Sequence, residues 1–224
     1  MTEPIETTAL PGPIQAVVFD MDGVLIEAKE WHFEALNRAL ALFGYAISRY
    51  DHLVTYDGLP TRRKLEMLTR ERGLPCALHG FLNELKQMYT MEIVHTHCKP
   101  VFQHEYALSH LKADGYKLAV ASNSVRASVE TMMQKSSLLP YLDAVLSNQD
   151  VKKGKPDPEI YQATFARLDL APEHCLVVED NEHGIQAARA SGAHLMVVQN
   201  TTDVTYQKIV ERIRQCEAEE PTPR

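Results

Sequence analysis

Five short apolar runs constrain the fold of this chain more than any other feature: AVVF (16–19), KLAVAS (117–122), AVLS (144–147), CLVVED (175–180) and HLMVVQ (194–199). Each is strand length and rich in Val, Leu or Ala. Segments of helical periodicity occupy 101–113, 125–135, 158–169 and 183–191. Strands alternating with helices build a parallel, doubly wound sheet. Near-continuous apolar strands suit a sheet covered on both faces. One interval breaks the alternation. Residues 27–95 carry no strand pattern and read as helices near 29–43, 61–72 and 75–93, with a loop over 44–60. This predicts a helical insertion after the first strand, hinged at Ile26–Lys29 and Thr96–Pro100. The expected organisation is a core domain over 14–27 and 96–216, an inserted helical domain over 28–95, and disordered ends at 1–13 and 217–224.

The bulk properties exclude several classes. A net charge of −7 argues against a protein that coats nucleic acid. The four cysteines form no CxxC pair, so no zinc or disulfide framework is expected. HTHCKPVFQH (95–104) gathers three histidines and Cys98 at a spacing that fits no metal pattern, and reads as a connecting segment. The acidic start MTEPIETTALPGP is unlike a signal peptide, and no apolar run approaches the ~18 residues of a spanning helix. A cytoplasmic protein without membrane or nucleic-acid partners is expected, with a monomer as the default state.

In open α/β sheets, ligands bind beyond the carboxyl ends of the strands. Those ends carry Asp20 and Asp22, then Ser122 and Asn123, then Glu179 and Asp180, with Lys155 in KKGKPDPE (152–159). Taken singly, each has a plain explanation. DMDG could open a calcium loop, but counting from Asp20 puts Val24, Leu25 and Trp31 where an oxygen ligand, Gly and Glu are needed. Ser122-Asn123 could cap the next helix, and Lys155 could be a solvated lysine. Their convergence is the stronger signal. Residues i and i+2 of a strand point the same way, so Asp20 and Asp22 can share one site, with Gly23 turning the chain behind them. The adjacent acids 179 and 180 call for a cation, and Mg²⁺ suits carboxylates together with phosphate. Such parts describe phosphoryl transfer: a carboxylate nucleophile, a second carboxyl moving protons, and a metal beside the phosphate.

DMDGV (20–24), SNS (122–124), KPDP (155–158) and EDNEHG (179–184), in this order, resemble the motifs of the haloacid dehalogenase-like hydrolase superfamily. EWHFEAL (30–36), GLPTRRKL (58–65) and GKPDPEIY resemble its β-phosphoglucomutase-like branch. The resemblance implies a Rossmann-like α/β core with an inserted α-helical cap domain. It implies Asp20 as nucleophile and Mg²⁺ ligand, and Asp22 as general acid/base with its carbonyl on the metal. Ser122, Asn123 and Ser124 would hold phosphate oxygens, Lys155 would neutralise nucleophile and phosphate, and Glu179 and Asp180 would complete the Mg²⁺ site. Dehalogenases of the superfamily lack the second Asp, so Asp22 argues against that reaction. Phosphonate hydrolases use a cap lysine as a Schiff base; Lys29 or Lys64 would have to serve, in a pattern that fits poorly.

The expected function is therefore a Mg²⁺-dependent phosphatase of a small phosphorylated metabolite, a sugar or polyol phosphate. A β-phosphoglucomutase-type mutase is the alternative; Ala28 stands where those mutases carry Thr, while His32 matches a histidine of the branch. A non-catalytic metabolite-binding regulator is a third reading, weakened by the intact motifs. In the cap, Thr61 is a plausible helix N-cap followed by Arg62, Arg63 and Lys64, cations that oppose the helix dipole. An anionic substrate at that turn would resolve the conflict, with Gly58 letting the loop approach it. The plain alternative is a solvated basic patch paired with Glu66 or Glu71.

Overall fold

The computed structural model describes residues 13–56 and 58–219. Among the described residues, five strands form one parallel sheet: β1 (Ala16–Phe19), β2 (Lys117–Ala121), β3 (Ala144–Leu146), β4 (Cys175–Glu179) and β5 (His194–Val197), in the order β3-β2-β1-β4-β5. The strand with the two acids at its end is thus central. Phe19 lies in register with Val120 on one side and Val178 on the other.

Alternation along the strands sorts the core into two layers. Val17, Phe19, Leu118, Val120, Leu176 and Val178 face one side, and are covered by α5 (Phe102–Ala113), α6 (Arg126–Lys135) and α9 (Tyr206–Glu219). Ala16, Val18, Ala119, Ala121 and Val177 face the other, beneath α7 (Glu159–Leu168) and α8 (Glu182–Ser191). Small residues on that second face let α7 bring Tyr161 and Phe165 close to the sheet.

Between β1 and β2 lie α1 (Lys29–Ala41), a short α2 (Arg49–Asp51) running into a π turn (His52–Tyr56), α3 (Thr61–Arg72) and α4 (His79–His97). They bury an apolar cluster of their own around Leu36, Leu40, Tyr56, Leu65, Leu68 and Leu82. Burying each such side chain contributes about 1.5–3 kcal/mol.

Several local expectations change. The stretch expected to be a loop over 44–60 contains helical turns over 49–56, started by Ser48, whose hydroxyl accepts the Asp51 N–H at 3.0 Å, and anchored by buried Tyr56. Helix α4 runs through Thr96 and ends at His97, before Pro100. Residues 217–219, expected within a disordered tail, close α9 instead. Pro13, also expected to be disordered, meets His174 Nδ1 through its carbonyl at 2.8 Å, and the remaining residues expected to be disordered, 1–12 and 220–224, lie outside the described residues. No described helix is long and apolar enough to cross a membrane.

Candidate active site

The strand ends deliver their polar groups to one place. The Asp20 N–H bonds the Val178 carbonyl at 3.0 Å, and the Ser122 N–H bonds the Leu146 carbonyl at 3.0 Å. Each residue therefore continues the sheet ladder while its side chain stands at the open edge. A cavity of about 240 Å³ opens there between the sheet and the inserted helices, lined among others by Asp20, Asp22, Ser122, Lys155, His32 and Lys86. Gly58, Thr61, Arg62, Lys64, Asn123 and Ser124 also line it.

Asp20 is the innermost acid. Lys155 Nζ donates to its Oδ1 at 2.6 Å, to Glu179 Oε1 at 2.7 Å and to the Ala121 carbonyl at 2.8 Å. All three charged side chains are buried. Burial pushes the Asp20 carboxyl well up; Lys155 pulls it back, and Glu179, Asp180 and Asp22 push it further. Lys155 is held protonated although burial opposes it, because Asp20 and Glu179 flank the ammonium. The group that stabilises an ionised Asp20 is therefore already in place.

Asp22 has different neighbours. Ser124 Oγ donates to its Oδ2 at 2.9 Å, and His32 Nε2 stands 3.2 Å from its Oδ1, close to it though not aligned as a hydrogen bond. Burial would raise the Asp22 carboxyl, but His32 and Ser124 outweigh it and the net direction is down. On its far side His32 Nδ1 lies 3.1 Å from Lys86 Nζ. An ammonium there requires Nδ1 to accept, which leaves the ring proton on Nε2, facing Asp22. Burial, then the Lys86 charge, lowers the His32 pKa. Burial and Lys64 bring Lys86 down to about 7.

Asp20, Glu179 and Asp180 each place a carboxylate oxygen within 4.8 Å of the others, the one such metal-capable group among the described residues. Asp180 also pairs with Lys29 at 2.7 Å. A hard divalent cation fits this donor set, since burial and mutual repulsion raise both Asp20 and Asp180. Glu179 is committed elsewhere: Oε1 accepts Lys155 and Tyr161, and Oε2 accepts the Asp180 N–H and the Asn181 amide. The carboxylate of Asp22, a residue expected among the metal ligands through its carbonyl, stands outside the group.

Other expected residues take different places. Asn123 spends its amide on the protein: Nδ2 donates to the Gly58 and Lys155 carbonyls at 3.3 and 3.2 Å, and Oδ1 accepts the Lys155 N–H at 3.0 Å. It ties the loop before α3 to the Lys155 loop. Gly58 (φ 68°) lets the same loop lie against the turn after β4, since a Cβ there would lie 2.9 Å from Asn181 Oδ1. Thr61 is not the N-cap of α3. Pro60 holds that position with extended backbone, and no side chain caps the helix. Val125, rather than Ser122 or Asn123, is the N-cap of α6. Arg62 sits at the rim, 89% exposed and 3.1 Å from Glu66, so the solvated-pair reading describes it; Lys64 is buried. In 95–104 the side chains diverge, with His104 bonded to the Thr201 carbonyl and Cys98 in the core.

Sequence reasoning missed Lys86, Tyr161 and Gly184. Lys86 falls between Leu82 and Thr90 on the buried stripe of α4, a signal visible in helical phase. A Cβ on Gly184 would stand 1.8 Å from Glu179 Oε1, so the glycine of EDNEHG is the floor under that carboxylate.

The family model described as haloacid dehalogenase-like hydrolase matches residues 17–198. The chain is 31% identical to a phosphorylated carbohydrates phosphatase of Thermotoga maritima, over 80% of this chain and 82% of that one. It is 30% identical to a phosphoglycolate phosphatase of Nitrosospira multiformis, over 84% of each. The crystal structure of β-phosphoglucomutase from Clostridium difficile superimposes with a TM-score of 0.78 at 20% identity, covering 90% of this chain and 98% of that one.

Proposed function

Since the chain belongs to the haloacid dehalogenase-like hydrolase family and is a phosphoric monoester hydrolase, we propose that it is a Mg²⁺-dependent phosphatase of small sugar or polyol phosphates, working through an aspartyl phosphate. The observation that carries this reading is the division of labour between two carboxylates in one cavity. Asp20 is clamped by an ammonium, whereas Asp22 is linked to a serine, a histidine and through it a lysine.

An Asp20 oxygen attacks phosphorus, and the ester oxygen leaves with a proton from Asp22. In the second half, Asp22 takes a proton from water as the water oxygen attacks the same phosphorus, freeing phosphate and restoring Asp20. As it stands Asp22 is tuned toward its base form. A phosphoryl dianion beside it works in the opposite direction and favours the acid form for the first half. Lys155 keeps Asp20 ionised and balances the phosphoryl charge. Asp20, Asp180 and the Asp22 carbonyl would hold Mg²⁺, with Glu179 adding negative charge; the ion would supply neutralisation of the phosphoryl oxygens. Helices α1, α3 and α4 form the cap, whose Lys64 and Lys86 face the leaving group, and the domain division proposed is cap over 28–95 and core on either side.

The test is phosphate release across a panel of phosphorylated sugars, polyols and small acids, with Mg²⁺ and with EDTA. Turnover of sugar or polyol phosphates that stops in EDTA is expected. Undiminished activity in EDTA would overturn the metal assignment, and a panel without sugar or polyol substrates would overturn the substrate class. The His32–Lys86 contact, which governs Asp22 from the cap, also suits a mutase. Conversion of β-glucose 1-phosphate to glucose 6-phosphate faster than phosphate release would favour that reading.

A further inference from the structure

Tyr161 lies outside the cavity lining and outside the reaction as written, yet it is wired to its centre. Its hydroxyl donates to Glu179 Oε1 at 2.6 Å, the same oxygen that accepts Lys155 at 2.7 Å. Lys155 Nζ also stands 4.8 Å from the centroid of the Tyr161 ring. Ring and hydroxyl thus meet the lysine from two directions, one through its π face and one through the shared carboxylate.

Packing does not require the hydroxyl. The ring belongs to the apolar layer under α7, with Phe165 in a stacked arrangement 6.5 Å away. Phenylalanine would fill that space equally well. A buried hydroxyl costs stability unless it is bonded, and here it is bonded to a carboxylate at the reacting centre. Glu179 has little freedom to answer a lost partner elsewhere. Gly184 closes one side, the Asp180 N–H and Asn181 hold Oε2, and the residue is fully buried.

We propose that Tyr161 is a positioning residue for the reaction: by bonding Glu179 it fixes the anchor that holds the Lys155 ammonium on Asp20. The role rests on the phosphatase reading above. Without the hydroxyl, Glu179 Oε1 regains an unused lone pair, and Lys155 moves toward it and away from the nucleophile. A charge-assisted hydrogen bond of this kind sets a scale of roughly tenfold or more.

The experiment compares wild type, Tyr161→Phe and Tyr161→Leu with Mg²⁺ and p-nitrophenyl phosphate. The ¹⁵N-labelled Lys155 ammonium is also followed by NMR in the substrate-free proteins. Tyr161→Phe should lower kcat roughly tenfold with KM within about twofold, lower the thermal midpoint by only a few degrees so that the protein stays folded in the assay, and shift the ammonium resonance. Tyr161→Leu, which also removes the ring, should lower kcat further. Wild-type kcat in Tyr161→Phe, loss of activity only in step with loss of folded protein, or an unmoved Lys155 resonance would each overturn the proposal. A wild-type protein inert toward every phosphomonoester would sink the phosphatase reading alone, because the Lys155 resonance still decides the positioning link.

Discussion

Replacing Lys86 by Met should make the protein more stable and less active, and the pH dependence of the gain identifies its cause. Lys86 lies on the buried stripe of α4, 7% exposed, where burial first and the Lys64 charge second bring its pKa to about 7. Each tenfold change in proton affinity is worth about 1.4 kcal/mol, so the fall from the ordinary lysine value of about 10.4 corresponds to at most about 5 kcal/mol against folding. Below pH 7 the amine is charged in both states and the whole penalty applies. Between 7 and 10 the unfolded chain holds a proton that the folded one lacks, so stability rises with pH. Urea unfolding of both proteins at pH 7 and pH 9, in EDTA, isolates this group, because other titrations nearly cancel in the difference. The stability advantage of Lys86→Met should shrink by about 2 kcal/mol over that window. Parallel pH dependences would mean that Lys86 titrates like an exposed lysine and that neither burial nor Lys64 depresses it. The same variant should lose turnover, since His32 Nδ1 would no longer face an ammonium.

Gly184→Ala tests the floor under Glu179. Alanine would by itself favour the helix by up to about 1 kcal/mol, but its Cβ would fall 1.8 Å from Glu179 Oε1. Overpacking of this kind costs about 1–3 kcal/mol, so urea unfolding should show net destabilisation together with reduced kcat; a more stable, fully active variant counts against the close approach. Asp20→Asn should abolish phosphate release while leaving the circular dichroism spectrum unchanged, because an amide fits the same space and relieves repulsion from Glu179, Asp180 and Asp22. Turnover near the wild-type rate would remove Asp20 as the nucleophile.

The parts of this molecule that were legible in sequence share a physical origin. A carboxylate at the end of an apolar run is costly unless the fold supplies a partner, so Asp20, Glu179 and Asp180 announced themselves. Parallel register then brought β1, β2 and β4 to a common edge, which the alternation of strands and helices had already implied. Helices α7 and α9 illustrate the other case. Tyr161 reads in sequence as one more apolar residue beside Ile160 and Phe165. Only the packed structure shows that its hydroxyl has a buried acceptor among the charges around Asp20. The last helix, Tyr206–Glu219, went unnoticed because its charged faces resemble a tail until Ile209, Ile213 and Cys216 are seen to share one side.

The cap separates what composition tells from what helical phase tells. Arg62, Arg63 and Lys64 are three cations in a row, and by charge alone any of them serves equally to meet an anion. A helix turns about 100° per residue, so three residues in a row cannot all share one outlook. Arg62 and Arg63 turn to solvent, where both reach Glu66, and Lys64 turns inward beside Leu65 and Leu68. On α4 the same periodicity buries Lys86 in line with Leu82. Two lysines from different helices therefore reach one small cavity, and each depresses proton binding at the His32 imidazole. Long side chains of this kind normally snorkel outward. Their retention inside, against a cost of several kcal/mol for an uncompensated ammonium, is physically reasonable where an anion arrives to be bound. Substrate affinity should therefore respond to Lys64 far more than to Arg62: Lys64→Ala should raise KM, Arg62→Ala should leave it within about twofold, and equal effects would show that charge at the turn, rather than helical phase, selects the substrate.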